Sequence, residues 1–265
     1  MSLVRAFSSI GCPALSLDDT LAVAVKHGVA AVELRALGGT TDLPAWFARN
    51  FGSPAGLAKH LQASPVQIVG LDTSFKLIGP TGAERAAFLQ FLPWAEALGV
   101  PRLRVFDGGR TADDAELAQA AETMHWWQAL RRERGWRTDL MVETHDSLFT
   151  AAAIRRFLAV APGAAILWDT HHTWKRGGED PVVTWRAIKP HVVHIHVKDS
   201  VSKPSSRHPY SYVLPGDGEF PMKPLREVLE AEYSGPLSLE WEVIWHPYLP
   251  PLDGALATAV GRGWW

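Results

Sequence analysis

Eight short apolar runs alternate with longer amphipathic stretches along the 265 residues of the chain. The runs span 4–10, 30–36, 66–75, 102–108, 139–146, 164–172, 192–200 and 236–244. Most carry consecutive β-branched or large apolar residues, as strands buried on both faces do. Eight β/α units in a chain of this length predict one closed (β/α)₈ barrel over residues 1–265. An open doubly wound sheet is the alternative, but no Gly-rich phosphate loop follows the first run.

Four of the stretches between the runs have clear helical patterning. They cover residues 17–28, 83–99, 113–135 and 221–235. The stretch 113–135 is acidic at its start, basic towards its end and closed by Gly135, which matches the helix dipole. Pro93 lies inside the stretch 83–99, where we expect it to kink the helix.

The charge balance and the cysteine content narrow the class of protein. With 26 Lys and Arg against 28 Asp and Glu, the chain lacks the basic excess of a nucleic-acid binder. No apolar run approaches the roughly 20 residues that span a bilayer, and the N-terminus does not read as a signal peptide. Cys12, the single cysteine, fits a reducing compartment and is expected to be a buried, inert thiol. We therefore predict a cytoplasmic protein with no nucleic-acid or membrane partner. The sequence is compatible with either a monomer or a homo-oligomer.

Ionisable residues stand near the C-terminal ends of seven of the eight predicted strands. They are Glu33, Asp72, Asp107, Glu143, His145, Asp169, His171, His172, His194, His196, Lys198, Glu240 and Glu242. Such residues inside apolar strands are costly unless they are paired or bound to a metal. Because the active residues of a barrel lie at the C-terminal ends of its strands, this rim is the predicted site of the chemistry.

Four of these residues form a candidate metal site. Glu143, Asp169, His196 and Glu240 come from the last four predicted strands, and consecutive barrel strands are neighbours in space. Three carboxylates and one imidazole suit one moderately hard divalent cation, Mn²⁺ first, with Mg²⁺, Co²⁺ and Zn²⁺ as alternatives. An ion-pair cluster without metal is the competing interpretation.

Alternation along the seventh run orders its polar residues. His194 and His196 are two residues apart, so both side chains face the same way, and the later one lies nearer the rim. We therefore expect His196 to be the ligand and His194 a deeper hydrogen-bonding partner. The same alternation places Lys198 and Glu242 further up the rim, within reach of a substrate.

Five motifs over residues 142–242 carry a family resemblance. They are VETHD, DTHH, HIHVKDS and YSGPLSLEWE, at four successive strand ends, and the loop PGDGEFP (215–221) before the last of them. In order and spacing they resemble the sugar phosphate isomerase/epimerase superfamily, whose fold is the xylose isomerase-like TIM barrel. The resemblance places the family's metal ligands on the same four residues. It also implies that His172 touches the substrate and that Glu143 and Glu240 act as an acid/base pair.

The function implied is a metal-dependent isomerase or epimerase acting on a sugar, a keto-sugar or a related polyhydroxy compound. A cation chelated by a carbonyl and its neighbouring hydroxyl stabilises the developing enediolate. One carboxylate removes the α-proton, and the other can return it from the opposite face. Lys198 either binds the substrate or forms a salt bridge to Asp199 or Glu242.

Further residues are expected to contact a carbohydrate or cyclitol substrate. His145 and Glu242 lie at the rim, and Trp174 either covers a sugar ring or packs at the rim. The segment 201–220 is predicted to be an irregular connection that contributes to a lid or binding loop. The terminal Trp264 and Trp265 are expected to dock on the barrel or on another subunit.

Three other functions use the same barrel. A dehydratase of the inosose or dehydroshikimate type resembles the chain at the same four ligands, with His172, His145 or Lys198 as the acid for the departing hydroxyl. An endonuclease IV-like nuclease needs histidine ligands after the second and third strands, where this chain offers Glu33 and Asp72. A non-catalytic binding barrel is opposed by the full ligand set.

Overall fold

Eight parallel strands close into a barrel in the computed structural model, which describes residues 3–265. Together with two strands outside the barrel, the strands of this part of the chain are β1 (Val4–Ser8), β2 (Ala31–Leu34), β3 (Gln67–Lys76), β4 (Arg102–Phe106), β5 (Asp139–Glu143), β6 (Ile166–Asp169), β7 (Val192–Val197), β8 (Asp199–Val201), β9 (Ser211–Val213) and β10 (Pro236–Leu239). Strands β8 and β9 form a separate antiparallel pair, and β10 lies between β7 and β1 in the barrel. The predicted (β/α)₈ fold is confirmed.

Helices follow the barrel strands and surround the sheet. They are α1 (Leu17–Lys26), α2 (Leu43–Phe51), α3 (Pro54–Leu61), α4 (Gly82–Leu89), α5 (Leu92–Leu98), α6 (Asp114–Arg134), α7 (Ala151–Val160), α8 (Pro181–Ile188), α9 (Met222–Glu232) and α10 (Leu252–Gly261). Within residues 3–265, none of them is both long enough and apolar enough to cross a membrane.

Local sequence determines where the helices begin and end. The Asp113 side chain accepts the Glu116 N–H at the start of α6, and Gly135 ends the helix in the left-handed conformation. The kink expected at Pro93 is instead a complete break between α4 and α5, with Pro93 in the first turn of α5. Proline fits there because the first N–H groups of a helix have no intrahelical acceptor.

Barrel strands end earlier than predicted, and after β5 and β6 polar side chains accept the backbone N–H groups that follow. The Asp169 carboxylate accepts the His172 N–H at 3.0 Å, so the chain leaves β6 and enters a helical turn over His172–Arg176. After β5, the Asp107 carboxylate accepts N–H groups from the next loop, including that of Ser147 at 2.5 Å. The eighth barrel strand, β10, likewise ends at Leu239 rather than at residue 244.

Alternation along the strands separates an apolar layer from a polar one. The outward side chains join the helices in one buried core and include Val32, Leu34, Leu103, Val105, Val142, Trp168, Ile195, Val197, Leu237 and Leu239. The inward side chains near the C-terminal rim are polar and include Glu33, Arg104, Glu143, Asp169, His194, His196, Ser238 and Glu240. The barrel therefore places a buried ionisable cluster inside an apolar wall.

The last residues of the chain dock on the barrel. Trp265 is 1% exposed, and its carbonyl accepts a hydrogen bond from Arg5 Nε at 3.0 Å. Trp264 is also buried and packs near Phe220. Docking on the barrel was one of the two arrangements predicted for this pair.

Candidate metal centre

Four residues of the candidate metal site meet at the C-terminal rim because of strand order and register. Glu143 and Asp169 are the last residues of β5 and β6, and Glu240 directly follows β10. His196 lies opposite Asp169 on one side and opposite Ser238 on the other. The order β5, β6, β7, β10 makes one arc of neighbouring strands, with Glu143 and Glu240 at its two ends.

The candidate ligand atoms of these residues lie within 4.8 Å of one another. His196 Nδ1 is 3.3 Å from Glu240 Oε1 and 3.7 Å from Glu143 Oε1. All four side chains are buried. They therefore offer three carboxylate oxygens and one imidazole nitrogen to a common point, a donor set suited to a divalent cation.

Unsatisfied buried atoms support the fit of a metal ion at this point. Glu143 Oε2, Asp169 Oδ2 and His196 Nδ1 are buried and make no hydrogen bond within the described chain, although Arg104 Nε and Lys198 Nζ form ion pairs with the first two. Buried polar atoms are rarely left without a partner, because desolvation without compensation is costly. The three atoms belong to three of the four candidate ligands, and a cation at the cluster would give His196 Nδ1 the partner that it lacks.

Lys198 brings a positive charge to the same cluster. Its Nζ lies 2.8 Å from Asp169 Oδ2 and 2.6 Å from Glu242 Oε1, and it also contacts Glu240. Burial opposes the charge, but the carboxylates of Asp169, Glu240 and Glu242 raise the pKa of the ammonium well above its usual value. Of the two partners weighed for a salt bridge, Glu242 is the one it contacts, and Lys198 lines the cavity as well.

A second polar layer lies below the candidate ligands. Glu33 Oε1 is 2.9 Å from His196 Nε2, and Glu33 Oε2 is 2.8 Å from His194 Nε2. His194 also contacts Ser238 Oγ at 2.7 Å. Burial opposes ionisation of Glu33, yet the two imidazoles hold the pKa of its carboxyl below the usual value. His194 occupies the deeper hydrogen-bonding position that the alternation predicts.

Two arginines beside the cluster were not anticipated. Arg104, on β4, is fully buried, 3.3 Å from Glu143 Oε2 and 3.6 Å from Asp72 Oδ2, and its Nε and Nη1 make no hydrogen bond. Arg35 follows β2, is 5% exposed and donates to Ser74 Oγ at 2.9 Å. Arg104 carries a sequence signal, since it is a charged residue inside the apolar run RLRVF. Arg35 directly follows β2, and this position at the C-terminal rim is its sequence signal.

A cavity of about 350 Å³ opens above the cluster. It is lined by residues that include Arg35, Arg104, Glu143, His145, His172, Arg176, Lys198, Arg207, His208, Tyr210, Tyr212, Glu240, Glu242, Trp245 and His246. His172 Nδ1 bonds to the Thr144 carbonyl at 2.9 Å, so Nε2 is the nitrogen left for a ligand. Burial and the Lys198 charge lower the pKa of His172 to about 3. Its imidazole is therefore neutral near pH 7.

His145 lies at the wall of the cavity and has a carboxylate partner. Its Nδ1 is 3.0 Å from Asp146 Oδ1, and its ring packs on Phe106. Burial works against protonation, but the hydrogen bond to Asp146 raises the pKa of the imidazole. His145 and Glu242 thus both line the cavity, and their contact with a substrate stays a prediction.

Other rim residues do not reach the cavity. Trp174, predicted as a substrate contact, does not line it and packs on His171 and Phe220, with ring centroids 5.5 and 5.3 Å apart. The helical turn after β6 carries it there, so its alternative role in rim packing is the observed one. His171 bonds to Ser200 Oγ at 2.8 Å. Asp107 serves the loop after β5 rather than the cavity.

The segment 201–220 is more ordered than predicted, because β8 and β9 form a hairpin. The Asp199 carboxylate, at the start of β8, holds the loop after β9 by accepting the N–H groups of Gly216 at 2.8 Å, Gly218 at 3.0 Å and Phe220 at 3.1 Å. A Cβ at position 218 would lie only 2.0 Å from Asp199 Oδ1, which explains the glycine there. The hairpin presents Arg207, His208, Tyr210 and Tyr212 to the cavity.

The protein is a closed parallel α/β barrel with a buried ionisable cluster at the C-terminal rim of its strands. The profile of the xylose isomerase-like TIM barrel family matches residues 21–259, and the chain belongs to this family. No curated protein sequence matches the chain.

Solved structures show the same fold over the full chain. The probable 3-DHS dehydratase AsbF of Bacillus anthracis has a TM-score of 0.79 and 16% identity, covering 97% of both chains. The zinc-bound IolI protein has a TM-score of 0.73 and 15% identity, covering 100% of this chain and 99% of its own. The 3-keto-D-glucoside 4-epimerase YcjR of E. coli has a TM-score of 0.67 and 13% identity, covering 98% of both.

Proposed function

We propose that this protein is a divalent-metal-dependent isomerase or epimerase of a sugar, keto-sugar or related polyhydroxy carbonyl compound. The observation that carries the proposal is the placement of Glu143 and Glu240 at the two ends of the ligand arc, with Asp169 and His196 between them. Two carboxylates on either side of one bound substrate are what a reaction needs when it removes a proton and returns it elsewhere. A carbohydrate or cyclitol is the proposed substrate, and the reducing cytoplasm the proposed compartment.

The proposed cofactor is one divalent cation held by Glu143, Asp169, His196 and Glu240. Mn²⁺ fits three carboxylates and one imidazole best, and the zinc in the IolI structure keeps Zn²⁺ as the second choice. When bound, such a cation polarises the substrate carbonyl and stabilises the negative charge that develops on its oxygen.

The protein's own groups then move the proton. Burial opposes ionisation of Glu143 and Glu240, but Arg104 lowers the pKa of Glu143, and His196 and Lys198 lower that of Glu240. Both carboxylates are therefore ionised near neutral pH and can accept the α-proton. The carboxyl that becomes protonated can return the proton to the neighbouring carbon, while the opposite one can act from the other face.

Neutral His172 and charged Lys198 orient the substrate in this proposal. His172 donates from Nδ1 to the Thr144 carbonyl, so the lone pair on Nε2 can accept a hydrogen bond from a substrate hydroxyl. Lys198, at the cavity wall, can donate to a hydroxyl or to the carbonyl oxygen. These contacts would hold the reacting carbon between Glu143 and Glu240.

Arg35 and Arg104 favour a substrate that carries an acidic group. Both line the cavity on the β2 and β4 side, across from the ligand arc, and Arg104 Nη1 makes neither a hydrogen bond nor an ion pair within the described chain. An arginine fork matches a carboxylate in shape and charge. We therefore propose a carboxylated polyol as the preferred substrate within the class.

One observation favours a dehydratase as the second candidate. The His145–Asp146 pair places an imidazole of raised pKa at the cavity wall, where it could protonate a departing hydroxyl. The probable 3-DHS dehydratase is among the proteins that share the fold. Dehydration would begin with the same proton abstraction, so the two candidates differ only in the fate of the intermediate.

The experiment is an exchange assay in D₂O. The Mn²⁺-loaded protein is incubated with carboxylated and neutral polyhydroxy ketones, including inososes and dehydroshikimate. Deuterium incorporation next to the carbonyl without loss of water supports isomerisation, whereas a new conjugated enone absorbance supports dehydration. We expect Glu143→Gln and Glu240→Gln each to slow exchange by about 10²–10⁴-fold.

The matched control is Glu230→Gln, a glutamate on the outer face of α9 that pairs with Arg226. It should leave the exchange rate unchanged. Exchange that persists at the wild-type rate in both Glu143→Gln and Glu240→Gln would contradict the proposed acid/base pair.

A further inference from the structure

Glu33 contacts the candidate metal centre through His196. It extends from β2, which is separated from β7 by β1 and β10 in the barrel order, so its side chain crosses the barrel interior to reach the imidazole. Its carboxylate is fully buried and lies within 2.9 Å of His196 Nε2 and 2.8 Å of His194 Nε2. Glu33 does not line the cavity.

The two nitrogens of His196 face different layers. Nε2 points to Glu33, while Nδ1 faces Glu143 and Glu240 at 3.7 and 3.3 Å. A carboxylate only accepts hydrogen bonds, so Nε2 must carry the hydrogen that it shares with Glu33. In the neutral ring the lone pair is then on Nδ1, the nitrogen that faces the candidate ligands.

We infer that Glu33 is a positioning residue that holds His196 in the Nε2–H tautomer and directs the Nδ1 lone pair at the metal site. The inference rests on the proposed metal site but not on the proposed reaction. A carboxylate behind a metal-binding histidine orients the ring and strengthens its donor nitrogen.

Neighbours on two strands keep the Glu33 carboxylate in place. Ser238 Oγ donates to Glu33 Oε2 at 3.2 Å and contacts His194 at 2.7 Å. His194 is two residues before His196 on β7, and Ser238 is two residues before Glu240 on β10. His194 and Ser238 therefore lie on the same strands as His196 and Glu240, one inward-facing position deeper in the barrel.

A second metal bound by Glu33, His194 and His196 is the competing interpretation, since these three also cluster. Both imidazole nitrogens lie at hydrogen-bond distance from the carboxylate, 2.8 and 2.9 Å, and Ser238 fills a third position around it. The hydrogen bonds from His196 and Ser238 go to Glu33 Oε2, whereas Oε1 makes none within the described chain, so the number of ions bound per chain decides between the two interpretations.

The test measures metal binding rather than activity. Mn²⁺ is titrated into the metal-free full chain, and free Mn²⁺ is followed by electron paramagnetic resonance. We expect one ion per wild-type chain, about tenfold weaker binding in Glu33→Gln and a loss towards 100-fold in Glu33→Ala. The milder Ser238→Ala should fall between wild type and Glu33→Gln. Circular dichroism confirms that each variant is folded.

The matched control is Asp72→Asn, which removes a buried carboxylate of the same barrel layer that contacts Arg104 rather than His196. It should bind Mn²⁺ with near wild-type affinity. A Glu33→Gln variant that is folded and binds as tightly as Asp72→Asn would overturn the inference, and so would two ions per wild-type chain.

The tautomer itself gives a second readout. In Zn²⁺-loaded protein labelled with [¹⁵N]histidine, His196 should show a protonated Nε2 and a metal-bound Nδ1, and Glu33→Ala should broaden or shift this signal. A wild-type spectrum with Nε2 on the metal would overturn the inference. If the wild type binds one ion as expected but catalyses no exchange, the proposed reaction fails while the role of Glu33 stands.

Discussion

Lys198 Nζ lies 2.8 Å from Asp169 Oδ2, so an ammonium and a candidate metal ligand share one buried cluster. The same ammonium contacts Glu240 and Glu242. A divalent cation among the candidate ligands would therefore sit close to a positive charge. The Lys198 charge therefore has two opposite effects. It stabilises the buried carboxylates of the metal-free protein, and it repels a divalent cation that binds among them.

Lys198→Met should separate these two effects. Without the ammonium, the metal-free protein keeps buried carboxylates that lack a partner, which costs about 3 kcal/mol or more and lowers Tm by roughly 6–12 °C. The affinity for Mn²⁺ should rise about tenfold, or ~1.4 kcal/mol, because a like charge is gone. Calorimetry and Mn²⁺ titration measure the two quantities.

Lys175→Met is the control for Lys198→Met. Lys175 pairs with Glu219 at 3.0 Å outside the cavity, so its loss should change neither Mn²⁺ affinity nor the Mn²⁺-induced rise in Tm. Weaker Mn²⁺ binding in Lys198→Met would show that the lysine organises the ligands more than it repels the ion.

Arg35→Met should reveal whether the cavity recognises a carboxylate. Hydrogen bonds to charged groups contribute ~1.5–3 kcal/mol, so the variant should bind a carboxylated polyol about 10–100-fold more weakly. Shikimate and myo-inositol serve as probes with and without the acidic group, and titration calorimetry on the Mn²⁺-loaded protein gives Kd. The affinity for myo-inositol should stay within about twofold of wild type. An equal loss for both probes would point to a damaged cavity instead.

The barrel and the meeting of the four candidate ligands could both be predicted from the sequence. The eightfold rhythm predicts parallel neighbours in chain order, and residues at the ends of neighbouring strands necessarily converge. The two-residue period also predicted the depth order of His194 and His196. These inferences depend only on backbone geometry that every such barrel shares.

The contacts of Arg35, Trp174 and the β8–β9 hairpin could not be predicted in the same way. Whether Arg35 reaches the cavity depends on the loop that follows β2. Trp174 lies in the helical turn that begins with the hydrogen bond from the His172 N–H to Asp169, and its side chain therefore packs outside the cavity. Each hairpin strand is only three residues long, too short for a periodic signal. Its stability comes from Asp199 and the loop 215–221, which are contacts remote in sequence.

Trp265→Ala should destabilise the protein, because the side chain is 1% exposed. Truncating a buried aromatic ring costs about 3–5 kcal/mol, which chemical denaturation would measure. Trp265→Phe should recover most of the loss, since Trp265 Nε1 makes no hydrogen bond within the described chain. Trp245→Ala, at a ring that is 40% exposed, is the control and should cost much less. Equal effects of the two alanine variants would contradict the docking argument.

Cys12 should react slowly with iodoacetamide and speed up with pH. Burial raises the pKa of its thiol to about 11, outweighing a contact with Thr20 Oγ1 that lowers it. Only the thiolate reacts, and an ordinary cysteine has a pKa near 8.5, so alkylation at pH 8 should be about 100-fold slower in the folded protein than in urea. Between pH 8 and pH 10 the rate in the folded protein should rise about tenfold per unit.

The same shift has a definite sign for stability. A pKa raised by folding means that the native state holds its proton more tightly, so this contribution is complete below about pH 8.5 and is lost as the pH rises through about 11. Cys12→Ala should therefore lose less stability than wild type between pH 8.5 and pH 11, measured by urea unfolding. Alkylation at pH 8 that is equally fast in the folded and the urea-unfolded chain would contradict both expectations, because it would show a thiol open to solvent.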